Sequence, residues 1–412
     1  MLHNFSMADY IKLHIPEGIN FDCTGCGNCC FSWPVPLTDG DVAKISTLPL
    51  KEIQDGTLQL QSIGKPGTLQ ENVFTKALGK RPDGKCQFLL LDNQCKLHRD
   101  YGMEAKPAMC RLFPYTFTET PTGVYAAASF ASTGVLFNAG RPLSEQREHL
   151  GQTYKLFKSL FPDLIPDWKS IQLIDGQPLS YDSYELIESE ILSVLKPSVD
   201  SHRRVEKSLI SISQKVSSQV LVPRDFDHIA GIEAKPKVVD QLLLKGLCDA
   251  YFPPDVYQDN VCTFDSAALA RALVMPPNKV LLSLGSKQIS FGEIVGYRLG
   301  PLSSESEALL LRFAYLKVFS KLYFGPGFAG LSLVSGINHL STIIALVRII
   351  LKAENLEKKP RGETISFDVV AEIVRKLERR LTVVNFSKEA KMVLEVLFAS
   401  SKRVERIFSL SD

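Results

Sequence analysis

The stretch Cys23-Thr24-Gly25-Cys26-Gly27-Asn28-Cys29-Cys30 places four cysteines in eight residues. Two residues between cysteines is the spacing that lets both thiolates reach one metal from a tight turn. Gly25 and Gly27 suit such a turn, because glycine takes positive φ without steric cost. A disulfide between neighbours Cys29 and Cys30 would be strained and would close almost no loop. Inert buried cysteines do not gather in Gly-rich polar sequence. The pattern therefore reads as metal binding, and it predicts an irregular, ligand-organised region.

Working outward, Cys86, Cys95 and Cys110 form a second group, so seven of the nine cysteines fall within the first 110 residues. Cys23, Cys26, Cys29, Cys30, Cys86, Cys95 and Cys110 are the candidate metal ligands. Cys248 and Cys262 stand apart and read as small buried hydrophobes. Spacing admits two kinds of centre. Seven thiolates and His98 would fill two tetrahedral zinc sites. Cys23, Cys26 and Cys29 also match the Cys-x2-Cys-x2-Cys run of iron–sulfur proteins, with a distant fourth ligand. His98 by itself reads as a hydrogen-bonding neighbour. Arg111, directly after Cys110, would offset thiolate charge, or it lies on the surface.

The rest of the first 140 residues predicts little regular structure: a short strand in 31–37, a helix capped by Thr38 and Asp41 and running to about Leu48, and mostly loop over 52–84. A turn is expected at Asp92-Asn93, with a strand over 124–130. After residue 140 apolar residues recur at spacings of three and four. Helices are expected from Asp182 to about Leu195, 308–323, 340–353, 367–381 and 387–408, and Gly325-Pro326-Gly327 reads as a helix–helix connection. Glu185, Glu188 and Glu190 read as solvated carboxylates and His339 as a satisfied core histidine. The expected fold class is α+β: a small irregular cysteine-rich metal-binding domain over residues 1–140, then a larger, mostly α-helical domain over 141–412.

Composition fits a globular chain of 412 residues, with 45% apolar and 22% charged side chains. A net charge of +2 supplies no field for nucleic acid or a membrane surface. The basic runs at 376–380 and 402–406 read as solvated helix faces. From Leu322 to Val347 there is no Asp, Glu, Lys or Arg, but Pro326, Asn338, His339 and several glycines interrupt the stretch, so a buried core helix is expected. With no signal-like start and many reduced thiols, the expected location is cytoplasmic. No Rossmann fingerprint, phosphate loop or nucleophile elbow is present, and the spacing of radical S-adenosylmethionine enzymes fails because position 33 is Trp.

The blocks Cys86-Gln87-Phe88-Leu89, Asp92, Cys95-Lys96-Leu97-His98, Gly102 and Lys106-Pro107-Ala108-Met109-Cys110-Arg111-Leu112-Phe113-Pro114, following the 23–30 motif, resemble the CxxCxxCC family of zinc- or iron-chelating cysteine-cluster proteins. They are especially similar to its flagellin lysine N-methylase members. The likeness covers roughly residues 20–135. It implies a zinc or iron–sulfur centre on the cysteines. From the methylase members it implies methyl transfer from S-adenosylmethionine to lysine amines of a protein substrate. Many members carry a further cysteine after the strand that follows Phe-Pro. This chain has Ala128-Ser129-Phe130-Ala131-Ser132-Thr133-Gly134 there, which leaves one ligand fewer or a metal atom with an open position. The competing readings are a non-catalytic metal module whose helical domain binds a partner, and a redox protein.

Overall fold

The computed structural model describes residues 12–31, 34–63, 73–197, 204–218, 237–253, 261–262, 279–284, 287–356 and 363–411. Its contacts divide the chain into two units, one of residues 1–117 with 123–165 and one of residues 118–122 with 166–412. The fold is α+β, with small sheets, a cysteine-rich N-terminal part and a larger helical part.

The first unit is built from short elements: β1 (Leu13–His14), β2 (Val35–Leu37), α1 (Asp39–Ser46), α2 (Lys51–Gln54), β3 (Leu60–Ser62), β4 (Lys76–Leu78), α3 (Lys96–Tyr101), α4 (Ala108–Leu112), β5 (Tyr115–Thr120), β6 (Gly123–Ala128), α5 (Thr133–Leu136) and α6 (Arg147–Leu160). One sheet has the order β2-β4-β3, antiparallel, with Val35 opposite Leu78 and Leu60 opposite Leu78 on the other side. The other has the order β1-β6-β5. The expected strand over 31–37 is cut down to Val35–Leu37. Phe31 makes only an isolated bridge to Lys85, and residues 32–33 lie outside the described residues. The stretch 52–84, expected as mostly loop, contributes β3 and β4, because Leu78 is buried, and Leu60 partly buried, in one core with Val35, Leu37 and Ile45. Thr38 and Asp41 form the expected reciprocal cap of α1.

The second unit comprises β7 (Gln172–Ile174), β8 (Gln177–Pro178), α7 (Tyr181–Leu195), α8 (Val205–Ser218), α9 (Val238–Tyr251), β9 (Val261–Cys262), β10 (Leu281–Leu284), β11 (Lys287–Ser290), α10 (Phe291–Gly296), α11 (Ser304–Phe319), α12 (Leu333–Asn355), α13 (Phe367–Leu381), β12 (Asn385–Phe386), α14 (Lys388–Phe398) and α15 (Ser401–Ser409). At its centre α12 packs against α8, α13, α14 and α15. It is long and apolar enough to cross a membrane, and its most apolar stretch is buried. Arg348 within it is charge-paired: its Nε donates to Glu206 at 2.6 Å and its Nη2 to Glu307 at 2.6 Å.

The helix 367–381 lies where expected, and several other helix starts differ. Ser180 and Ser303 are the caps of α7 and α11, and α12, capped by Ser332, begins seven residues before the expected Leu340. The expected helix 387–408 is two, broken at Ala399-Ser400. Glu188 corrects the reading of α7: it is buried, accepts Lys321 Nζ at 2.9 Å and the Tyr184 hydroxyl at 2.5 Å, and is held by a cation no local pattern could reveal. Cys248 is buried on α9 as expected, and the Cys262 side chain lies outside the described residues.

Candidate metal centre

Gly27 has φ +72, and a Cβ there would lie 3.0 Å from Asn93 Oδ1 and 3.2 Å from Leu89 Cδ2. Glycine therefore lets the 23–30 turn press against the turn at 92–93. Beyond it the chain tightens into a single 3-10 turn, Asn28–Cys30, closed by Cys30 N donating to Gly27 O at 2.9 Å. Cys86 N then donates to Cys30 O at 2.8 Å, so two cysteines distant in sequence are joined through their backbones. Lys80 bridges Cys86 on the other side, and its Nζ donates to Cys30 O at 3.2 Å.

Cys95 comes from the far arm of the expected turn. Leu90 and Asn93 close that turn by backbone hydrogen bonds, and Leu89 bridges Cys95. Cys95 is also the N-cap residue of α3. Cys110 lies on α4, whose first turn is anchored by Asp41: the buried carboxylate accepts Ala108 N at 3.0 Å on one oxygen and Thr38 N at 3.0 Å on the other. One acid thus caps two helices, a role for α4 that sequence spacing did not reveal.

All seven candidate cysteines line one cavity of about 790 Å³. They do not sit in it alike. Cys30, Cys86, Cys95 and Cys110 pack into one apolar core with Val35, Leu37, Leu78, Phe88, Leu89 and Leu97. Cys23 is exposed, and the Cys26 thiol donates to Thr133 Oγ1 at 3.2 Å. Among the described residues, no three Cys, His, Asp or Glu side chains are close enough together to hold an ion as they stand. The donor set nevertheless fits a soft or borderline ion, since four thiols from three separate segments share one apolar pocket.

Burial pushes the Cys30 thiol up to about 12, with the neighbouring Cys86, Cys29 and Cys95 adding to it. Cys86 and Cys110 are raised for the same first reason, desolvation. Lys106 opposes the rise at Cys30 and Cys110, and Lys80 opposes it at Cys86. Lys80 itself is lowered by burial and held up in part by those thiols. Among the described residues, the cations that act on these thiols are Lys80, Lys106 and, at Cys86, Arg81. Arg111 lines the cavity but pairs with Glu104 at 2.5 Å.

His98 lines the cavity from the exposed face of α3, lowered by desolvation and by Lys106. His149 lines it as well, edge-on to Tyr115 at 5.4 Å, lowered by desolvation and then by Arg141. Neither His149 nor Lys80 carried a motif signal, since only the fold brings them to the thiols. The region expected to hold a further cysteine supplies Thr133, whose hydroxyl takes both Cys26 Sγ and Asn28 Nδ2 at 3.2 Å.

With this geometry in place, comparison with known proteins adds one finding. Residues 22–130 match the family model described as the CxxCxxCC zinc- or iron-chelating domain. No curated protein and no solved structure matches the chain.

Proposed function

We propose that the first unit is a zinc- or iron-chelating module in which Cys30, Cys86, Cys95 and Cys110 hold the metal and Cys23, Cys26 and Cys29 complete the site from its mouth. The observation that carries this reading is the shared apolar pocket of the four thiols, with Cys86 bonded through its backbone to Cys30 at 2.8 Å. When bound, zinc supplies a rigid cross-link or a Lewis acid, and iron supplies a redox centre. The chain's own residues do the rest. Phe88, Leu89 and Leu97 keep water from the sulfurs, and Lys80 and Lys106 offset thiolate charge.

Because burial raises Cys30, Cys86 and Cys110, these ligands are protonated near neutral pH without a cation and lose their protons on binding. Metal affinity therefore rises with pH, by up to about tenfold per unit for each ligand still protonated. Elemental analysis and visible absorption after anaerobic purification test the reading. Cys86→Ser is expected to lose at least half of the bound metal; full retention rejects the assignment.

A second reading rests on the cavity's size. At about 790 Å³ it exceeds what an ion needs and falls in the range of small-molecule pockets. With the resemblance to flagellin lysine N-methylases, this favours methyl transfer from S-adenosylmethionine to a protein lysine. Calorimetric titration of S-adenosylmethionine into the metal-loaded chain checks it, and no heat at millimolar ligand would remove it.

A further inference from the structure

The seven cysteines fall into two groups by environment. Cys30, Cys86, Cys95 and Cys110 are packed into apolar core, whereas Cys23, Cys26 and Cys29 lie on the turn outside it, with Cys23 exposed. We propose that the cavity holds two metal positions of different kind: a closed one on the four core thiolates, and an open one on Cys23, Cys26 and Cys29 whose fourth position takes a neutral nitrogen or oxygen donor from outside the chain.

The proposal rests on the metal-chelating reading above and adds the division of labour within it. Four thiolates on a divalent ion leave a charge of about −2, which water would normally stabilise. Here the pocket is apolar, and Lys80 and Lys106 stand close enough to act on its thiols. These cations offset part of that charge. A full set of four protein thiolates is the arrangement of a structural site.

The outer group supplies three thiolates, so a divalent ion there carries about −1 and favours a neutral donor over another anion. Beside it stands Thr133, which accepts from Cys26 and Asn28 at 3.2 Å and so orients the Cys26 sulfur. His149, Tyr115 and Phe21 line the same cavity and leave room for a ligand of amine, imidazole or water type. Three protein ligands plus an exchangeable fourth is the arrangement that lets a metal act on a bound molecule.

Cobalt(II) added to the metal-free full-length chain is the test, read by metal content and by visible absorption, with imidazole as the probe of the open position. The wild-type chain is expected to bind about two ions, with the bands of one shifting on addition of imidazole. Cys26→Ser, which lies outside the apolar core and should leave the fold intact, is expected to bind one ion with imidazole-insensitive bands. Thr133→Val should keep two ions and alter the imidazole response. Two ions retained in Cys26→Ser, no imidazole shift in the wild type, or native protein with about four irons and four acid-labile sulfides per chain would each overturn the two-position arrangement. A wild-type chain that binds one ion, lost in Cys86→Ser and kept in Cys26→Ser, sinks this proposal and leaves the chelating reading standing. No cobalt binding at all rejects both.

Discussion

At Cys30, chemistry and position meet. Its carbonyl accepts Cys86 N at 2.8 Å and Lys80 Nζ at 3.2 Å, while its thiol sits among the core cysteines. As sequence, the adjacent pair Cys29-Cys30 argued only against a disulfide between them. In the fold Cys30 turns into the core and its neighbour stays on the outer turn, so a one-residue step separates two environments. His339 shows the same rule in the second unit. It is buried, shares a hydrogen bond with the Tyr251 hydroxyl at 2.7 Å, and stacks on Phe328 at 4.6 Å. Desolvation holds it down to about 3 from its ordinary value of 6.5. A group depressed in the folded state favours folding above its unfolded pKa and loses that contribution as pH falls. Between pH 6.5 and 3 the second unit should therefore weaken by up to about 1.4 kcal/mol per pH unit from this residue alone. His339→Gln should flatten that acid limb in urea melts taken at pH 7, 5 and 4; an unchanged slope would show that other groups control it.

Helix ends carry much of the positioning. Asp41 closes the cap of α1 through Thr38 and also accepts the first amide of α4, two residues before Cys110. Asp41→Ala removes the bonds from Thr38 and from Ala108 at a buried site and should cost on the order of 2 kcal/mol. It should also weaken metal binding, because α4 loses the anchor that aims Cys110; Thr38→Ala, which spares the bond to Ala108, should cost about 1 kcal/mol and leave metal content unchanged. Equal metal loss in the two variants would contradict this role for Asp41. In the second unit, α12 approaches the α11–α12 connection so closely that a Cβ on Gly336 would lie 2.4 Å from Phe324 Cβ and 2.6 Å from Tyr323 O. Alanine normally stabilises a helix interior by about 1 kcal/mol over glycine. Gly336→Ala should reverse that sign and destabilise by about 1–3 kcal/mol in thermal melts, because the contacts are backbone and a rigid ring stem rather than a flexible tip.

Across the whole molecule, the first unit has short strands and helices and gathers its cysteines in one pocket, while the second is held by long helices around α12. Chelation should therefore act unevenly. Removing metal should open residues 22–130 to proteolysis and leave the helical far-ultraviolet signal of the second unit largely in place. Parallel loss of both would contradict a metal requirement confined to the first unit. The motif, the α1 cap, the turn at 92–93 and the span 367–381 were legible as sequence, since each depends on residues within a few positions of one another. So was a buried helix over 340–353, which lies inside the longer helix 333–355, although the pairing of Arg348 with Glu206 was not. Local sequence could not split 387–408, because the break at Ala399-Ser400 interrupts an apolar spacing that continues across it. Nor could it reveal Glu188 with Lys321, Asp41 on α4, or the lysines that face the thiols, because each pairing joins segments far apart in the chain. Residue type and spacing alone determined that this chain carries clustered thiols on a turn. Which thiols enter apolar core, and which remain at the mouth, was decided only when β2, β4, α3 and α4 closed over Cys30, Cys86, Cys95 and Cys110, for burial is a property of packing and not of spacing.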